Sequence, residues 1–244
     1  MTKTVIMWSG GADSTFIVDE MLRNTTDELV LQHLLFKSDG VEDSNNLRIK
    51  RHNLIAAAQV VAIKQISDYW KREGYRPFIL EIIPYQHHFR RSTHGVAGPF
   101  FGARAVRKYN ADRFITGAMT SNRPRAPGVA RKDLPPGRSR RDLPPGVNRR
   151  QDWTPQLQAL FDLEMQYSTS GDSDYSHVKW EKPLVDRGWE KNDIAEHLPP
   201  ELRKLVVTCD NPTTYEDHWE RCEECRRCNL WESANRDAER ENDR

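Results

Sequence analysis

The 244-residue chain has no run of apolar residues that approaches the ~18 needed for a membrane-spanning helix, and its start lacks a signal-peptide pattern. Its formal net charge is only +1, so net charge predicts no polyanionic partner. Cysteine is absent before Cys209. We therefore expect a cytoplasmic protein without a membrane partner, in which the late cysteines bind metal rather than form disulfides.

The composition is more polar than that of a typical globular domain. Hydrophobic residues make up 37% of the chain and charged residues 30%, which predicts that part of the chain lies outside the core. The length suits either one large α/β domain or a domain with an appendage.

The most informative stretch is Ser-Gly-Gly-Ala-Asp-Ser at residues 9–14. An apolar run before it predicts a buried strand, and the amphipathic run after it predicts a helix. Two glycines let the backbone turn sharply and approach a ligand, and the first N–H groups of the helix lie at the positive end of its dipole. The turn is thus a candidate anion site, in which Asp13 is suited to hold Mg²⁺ beside a phosphate. The candidate nucleotide-binding residues here are Trp8, Ser9, Gly10, Gly11, Ala12, Asp13, Ser14 and Thr15.

This stretch lacks the Gly-Lys-Ser/Thr ending of a P-loop and the third glycine of a Rossmann fingerprint. It resembles instead the Ser-Gly-Gly-x-Asp-Ser signature of the PP-loop ATP pyrophosphatases, which cleave ATP between its α and β phosphates. An ordinary strand-to-helix turn with a polar cap is the alternative interpretation.

Strand and helix patterns alternate along the first half of the chain. Strands are predicted at 4–8, 28–36, 78–83 (closed by Pro84) and 114–116, with helices after the first turn, at 45–70 and at 102–109. This alternation predicts a Rossmann-like parallel sheet with helices on both faces, with ligands at the carboxyl ends of the strands. Further on, residues 155–167 and 190–198 predict helices, and 180–185 an extended segment.

A tandem nine-residue duplication at 131–148 interrupts this pattern. Residues 123–150 hold eight Arg and one Lys against two Asp, a local charge of +7, and prolines that prevent regular strand pairing. The segment is either a basic flap that contacts ATP phosphates or nucleic acid, or a solvated insertion.

Two other groups of residues are candidates for chemistry. Lys191 lies in the first turn of a predicted helix, where a cation is unfavourable unless an anion is near, so it is a candidate phosphate ligand or a lysine in solvent. His87, His88 and His94 follow the third strand and are either acid/base groups or surface histidines.

Four cysteines, Cys209, Cys222, Cys225 and Cys228, have the spacing of a metal site. Four thiolates around Zn²⁺ form a closed structural site, and the short spacings also suit an iron–sulfur cluster. Arginines beside them (Arg221, Arg226 and Arg227) would offset the thiolate charge. Unligated cysteines are the remaining alternative.

The segment from Thr208 to Leu230 resembles the C-terminal zinc motif of the 7-cyano-7-deazaguanine synthases, a PP-loop family. Glu-Lys-Pro-Leu at 181–184, Lys191 and Ile-Thr-Gly at 115–117 follow in that family's order. The resemblance implies an ATP-dependent carbon–nitrogen ligase of 7-deazaguanine and queuosine biosynthesis. Such an enzyme adenylates a carboxylate and converts it with ammonia to an amide and then a nitrile. It implies ATP, Mg²⁺ and Zn²⁺ as cofactors, catalytic roles for Asp13 and Lys191, and nucleotide contacts by Phe36, Lys37 and Gly117.

The central segments depart from the family pattern. Residues 38–43, His94-Gly95 and 121–125 stand where the family carries its acceptor-site residues. The acceptor is therefore 7-carboxy-7-deazaguanine, a related deazapurine, or a group on RNA, DNA or a protein terminus that the Arg-rich insert contacts. A second copy of the chain, in a homodimer, is a further candidate partner. The alternative to an enzyme is a non-catalytic module that binds zinc and a nucleotide.

These observations divide the chain into three parts. Residues 1–207 form the predicted nucleotide-binding domain, with the basic insert at about 122–150. Residues 208–232 form the four-cysteine element, and 233–244 a polar tail.

Overall fold

The computed structural model describes residues 1–37, 47–86, 94–117, 154–167, 175, 177–189 and 191–242. The basic insert, His87, His88 and the segments 38–43 and 121–125 lie outside these residues. None of the described helices carries an apolar stretch long enough to cross a bilayer.

A five-stranded parallel sheet forms the centre of the protein. Its strands are β1 (Lys3–Met7), β2 (Glu28–Lys37), β3 (Ile79–Gln86), β4 (Arg113–Thr116) and β5 (Trp180–Glu181). They lie in the order β3-β2-β1-β4-β5, with Val5 of β1 between Val30 of β2 and Phe114 of β4. The first strand is central, so the turn that follows it lies at the middle of the carboxyl edge. The predicted α/β class is confirmed.

Helices pack on both faces of the sheet because successive strand residues point in opposite directions. Ile6, Leu31 and Ile115 face one core cluster, whereas Val5, Val30 and Phe114 face the other. The helices of the sheet domain are α1 (Ala12–Asn24), α2 (Leu47–Arg72), α3 (His94–Tyr109), α4 (Thr154–Tyr167), α5 (Pro183–Asp186), α6 (Lys191–His197) and α7 (Pro200–Leu205).

The four-cysteine region contains a short antiparallel hairpin and a long helix. The hairpin is β6 (Thr213–Thr214) with β7 (Trp219–Glu220), and the helix is α8 (Arg226–Asn242). Cys209, Cys228 and Trp231 belong to the same buried cluster as Ile6 and Ile17. The cysteine region is therefore packed into the principal core, and residues 233–242 continue α8.

Three sequence predictions of local structure are wrong. Strand β3 does not close at Pro84 but continues to Gln86, because an edge strand tolerates a residue without an N–H donor. Residues 180–185 are not one extended segment, since Pro183 begins α5, where a proline costs no helical hydrogen bond. Helix α3 begins at His94 rather than at Gly102.

Candidate functional site

The turn between β1 and α1 presents backbone N–H groups without a capping side chain. Gly11 is the N-cap of α1 and makes no side-chain cap hydrogen bond, while Gly10 has φ +70°, a conformation that favours glycine. A Cβ at Gly10 would lie 3.2 Å from the carbonyl oxygen of Gln59. The Gly11 N–H donates to Ser9 Oγ at 3.3 Å, and the N–H groups of the first helical turn that follow it lie at the positive end of the helix dipole.

The two serines of the turn hold each other. The Ser9 backbone N–H donates to Ser14 Oγ at 3.1 Å, and the two hydroxyl oxygens are also 3.1 Å apart. Thr15 is fully buried and its hydroxyl accepts a hydrogen bond from Trp8 Nε1 at 3.0 Å. Thr15 therefore supports the turn from within the core. It is not among the described residues around the cavity that opens in front of the turn.

A cavity of about 570 Å³ opens in front of this turn, and we call it the loop cavity. Asp13 and Lys191 both line it and form an ion pair, although they are 178 residues apart in sequence. The described residues around it are Met7, Ser9, Gly11, Ala12, Asp13, Ser14, Gln59, Thr116, Gly117, Lys191, Val207, Thr208, Arg227, Leu230 and Trp231. Two cations, one carboxylate and an open helix N-terminus share one space, which suits a polyanion with a divalent cation.

A second cavity, of about 320 Å³, lies beside the carboxyl end of β2, and we call it the strand cavity. Its described lining is mostly apolar and consists of Met7, Trp8, Ser9, Gln32, His33, Leu34, Phe36, Ile55, Ala56, Gln59 and Gly98. Met7, Ser9 and Gln59 line both cavities. An apolar compartment therefore adjoins a polar one, as a nucleoside and its phosphates require. Of the two predicted adenosine contacts, Phe36 lines this space, and Lys37 is described only as the last residue of β2.

Gly117 is a site residue for steric reasons. A Cβ there would lie 2.6 Å from the backbone nitrogen of Ser14 and 2.8 Å from the carbonyl carbon of Asp13. The end of β4 thus supports the turn by direct backbone approach, which only glycine allows.

We predict that Gly117→Ala lowers the free energy of unfolding by about 1–3 kcal/mol, because the new methyl group displaces the β1–α1 turn. Gly98→Ala is the matched control: a Cβ at Gly98 meets nothing within 4 Å, so stability should stay equal or rise slightly. Urea unfolding of both variants measures the difference. Equal midpoints for the two would contradict the steric argument.

His33 contributes a buried neutral imidazole to the strand cavity. It is 1% exposed, and its Nδ1 lies 3.0 Å from the carbonyl oxygen of Trp8, so Nδ1 carries the proton. Burial lowers the pKa of His33 against the opposing effect of this hydrogen bond. Nε2, which is then an acceptor, has no partner in the described structure.

The lowered pKa predicts a pH-dependent stability. The unfolded chain takes up a proton at His33 as pH falls below about 6.5 while the folded chain does not, so this contribution is complete above that pH and is lost below it. We expect the free energy of unfolding to fall more for the wild type than for His33→Gln between pH 7 and pH 5. Urea midpoints of both proteins at both pH values test this. Parallel pH curves would rule it out.

The four cysteines converge as predicted. Their sulfur atoms all lie within 4.8 Å of one another, with Cys209 and Cys222 at 3.4 Å and Cys225 and Cys228 at 3.5 Å. Tetrahedral Zn²⁺ with Zn–S bonds of about 2.3 Å places its sulfurs about 3.8 Å apart. The donor set therefore fits one metal ion.

The cysteine thiols differ in how well the protein stabilises their charge: burial raises the pKa of Cys209 and of Cys228, whereas the pKa of Cys225 is lowered. Although burial raises the pKa of Cys225, hydrogen bonds from the N–H groups of Asp210 and Cys228 lower it to about 6. Arg221 is largely buried, and burial lowers its pKa, whereas Glu232 and the thiols of Cys228 and Cys209 raise it. Of the three arginines predicted to offset the thiolate charge, Arg221 interacts electrostatically with Cys228 and Cys209. Arg227 instead lines the loop cavity.

Sequence reasoning missed several lining residues. Gln59 and Trp231 lie in helices that read as ordinary amphipathic elements, so no local pattern distinguishes them. Arg227 was noticed only as a charge near the cysteines. His33 carried one usable signal, since a histidine inside an apolar strand pattern needs a buried partner.

No protein-family model matches the chain, and no curated protein matches it. Among solved structures, the chain is similar to the U34-tRNA thiolase NcsA from Methanococcus maripaludis with its 4Fe-4S cluster. The identity is 12%, the match covers 98% of this chain and 71% of that chain, and the TM-score is 0.40.

Proposed function

We propose that this protein is an ATP-dependent carbon–nitrogen ligase of the PP-loop kind, of the 7-cyano-7-deazaguanine synthase type. One observation carries the proposal. The uncapped N-terminus of α1 opens, together with Asp13 and Lys191, into a polar cavity that adjoins an apolar one. A nucleoside triphosphate needs both environments side by side.

In this proposal, adenosine occupies the strand cavity beside Phe36, and the phosphates occupy the loop cavity. The N–H groups of the first turn of α1 donate to phosphate oxygens, where the helix dipole adds to the attraction. Lys191 exchanges its carboxylate partner Asp13 for a phosphate oxygen. Asp13 is then available to hold Mg²⁺, which would supply positive charge to the departing pyrophosphate.

The reaction needs no protein nucleophile. A carboxylate oxygen of the acceptor attacks the α phosphorus, the bond to the β-phosphate oxygen breaks, and pyrophosphate leaves with the electron pair. Ammonia then attacks the acyl carbon of the adenylate, AMP leaves, and a proton is lost from nitrogen to give the amide. A second ATP activates the amide oxygen in the same way, and loss of AMP and of both protons on the nitrogen gives the nitrile. The chain's own groups bind, orient and neutralise the phosphates in these steps.

We propose zinc as the metal of the cysteine site. The sulfur separations support a single ion, because a four-iron cube lies between its cysteine ligands and holds them farther apart. With all four positions taken by thiolates the ion has no place for substrate, so its role is structural.

The test is the production of AMP. The zinc-loaded protein is incubated with Mg²⁺, α-labelled ATP, ammonia and 7-carboxy-7-deazaguanine, and nucleotides and deazapurines are identified by mass spectrometry. We expect AMP and pyrophosphate together with an amide or nitrile product. ADP would contradict cleavage between the α and β phosphates.

Parallel incubations separate the alternatives. AMP formed only with RNA or a protein terminus as acceptor would assign the enzyme to macromolecular modification and overturn the deazapurine acceptor. ATP binding without AMP from any acceptor would favour a non-catalytic module.

A further inference from the structure

Arg227 connects the cysteine site with the proposed nucleotide site. It lies between two of the metal-binding cysteines, Cys225 and Cys228, in the first turn of α8. Its side chain nevertheless lines the loop cavity, together with Lys191 and the β1–α1 turn. Its neighbour Arg226 is exposed and is not among the described residues around either cavity.

Asp210 fixes the position of Arg227. Its Oδ1 lies 3.1 Å from Arg227 Nε, and its backbone N–H donates to Cys225 Sγ at 3.4 Å. A continuous series of contacts therefore runs from a cysteine sulfur through Asp210 to the guanidinium. A guanidinium paired through Nε still has two Nη groups with which to bind a phosphate.

A second contact joins the cysteine segment to the turn itself. The N–H of Val207, two residues before Cys209, donates to the carbonyl oxygen of Gly10 at 2.9 Å. This bond connects the segment before Cys209 directly to the β1–α1 turn. The metal site and the anion site therefore share a backbone as well as a side-chain connection.

Neutralising the thiolates does not by itself explain where Arg227 lies. Arg221 is the more buried cation of the cysteine segment, with a side chain that is 18% exposed. The side chain of Arg227 is 63% exposed and pairs with Asp210. An exposed cation that lines the same cavity as Lys191 and the β1–α1 turn is placed to bind an anionic ligand.

We infer that Arg227 binds the phosphates of the nucleotide and that the occupied cysteine site holds it in position to do so. This inference rests on the proposed function. It assigns the metal element a second task, the positioning of a phosphate ligand, in addition to folding.

The test compares Arg227→Gln with Arg226→Gln in the zinc-loaded full chain. Calorimetry measures the affinity for MgATP and for adenosine, and metal analysis measures bound zinc. We expect Arg227→Gln to weaken MgATP binding on the order of tenfold or more, with adenosine affinity and zinc content unchanged. Arg226→Gln should match the wild type in all three.

Three results would overturn the inference. If the two variants weaken MgATP binding equally, Arg227 contributes only nonspecific positive charge. If Arg227→Gln does not weaken MgATP binding, Arg227 does not bind the phosphates. Loss of zinc from Arg227→Gln would show a structural role instead. If the wild type binds neither ATP nor adenosine, the proposed function itself is overturned. The adenosine titration therefore distinguishes failure of the proposed function from failure of this inference.

The connection to the metal is tested without removing the metal. Asp210→Asn should keep its zinc and lose part of the MgATP affinity, and Asp210→Asn combined with Arg227→Gln should bind no more weakly than Arg227→Gln alone. Additive losses in the double variant would contradict positioning through Asp210.

Discussion

Asp13→Ala is expected to reduce acceptor-dependent AMP formation by about 10²–10³-fold while leaving the fold intact. Asp13 lines the loop cavity and pairs with Lys191, and in the proposed function its carboxylate holds Mg²⁺ at the phosphates. Because its side chain is only partly buried, its removal leaves the core unchanged. Quantifying AMP from α-labelled ATP, with thermal unfolding in parallel, measures both effects.

Asp186→Asn is the control for this prediction. Asp186 is an exposed carboxylate of α5 and is not among the described residues around either cavity, so its variant should retain wild-type rates. If Asp13→Ala forms AMP as fast as Asp186→Asn does, the assigned role of Asp13 is wrong.

Cys225→Ser is expected to lose the metal and to destabilise the whole chain by several kcal/mol, not merely its C-terminal part. The reason is packing: Cys209, Cys228 and Trp231 are buried in the same cluster as the residues of β1 and α1. A structural zinc contributes its binding energy to the folded state only. Metal analysis should give one zinc per wild-type chain and none per Cys225→Ser chain.

Glu224→Gln provides the matched comparison, since Glu224 lies between Cys222 and Cys225 in the sequence and is exposed. It should keep both the zinc and the wild-type urea midpoint. If Cys225→Ser unfolds at the same urea midpoint as the wild type, the cysteine site does not stabilise the core.

The sequence was sufficient to predict the parallel sheet and the glycine turn between β1 and α1. Both depend on local patterns: apolar runs of strand length, and two glycines before an amphipathic helix. Lys191 was likewise identified locally, as a cation at a helix N-terminus, and the structure brings it to Asp13. The sequence marks Gly117 only through a family resemblance, and the structure gives it a steric role, since a Cβ there would lie 2.6 Å from the backbone nitrogen of Ser14.

The remaining features depend on tertiary contacts that no local pattern encodes. Pro84 was read as a strand end because the edge position of β3 could not be known from the chain alone. Arg227 lines the loop cavity only because α8 packs beside the β1–α1 turn, more than two hundred residues away in sequence. The acceptor-site segments predicted at 38–43 and 121–125 lie outside the described residues, so their roles stay predictions.

The most direct measurement is a calorimetric titration of the purified, zinc-loaded protein with MgATP. The proposed nucleotide site predicts saturable binding of one ATP per chain, which Gly117→Ala weakens because it displaces the turn. An absence of binding to MgATP, and also to AMP with pyrophosphate, would contradict the assignment of the two cavities to a nucleotide.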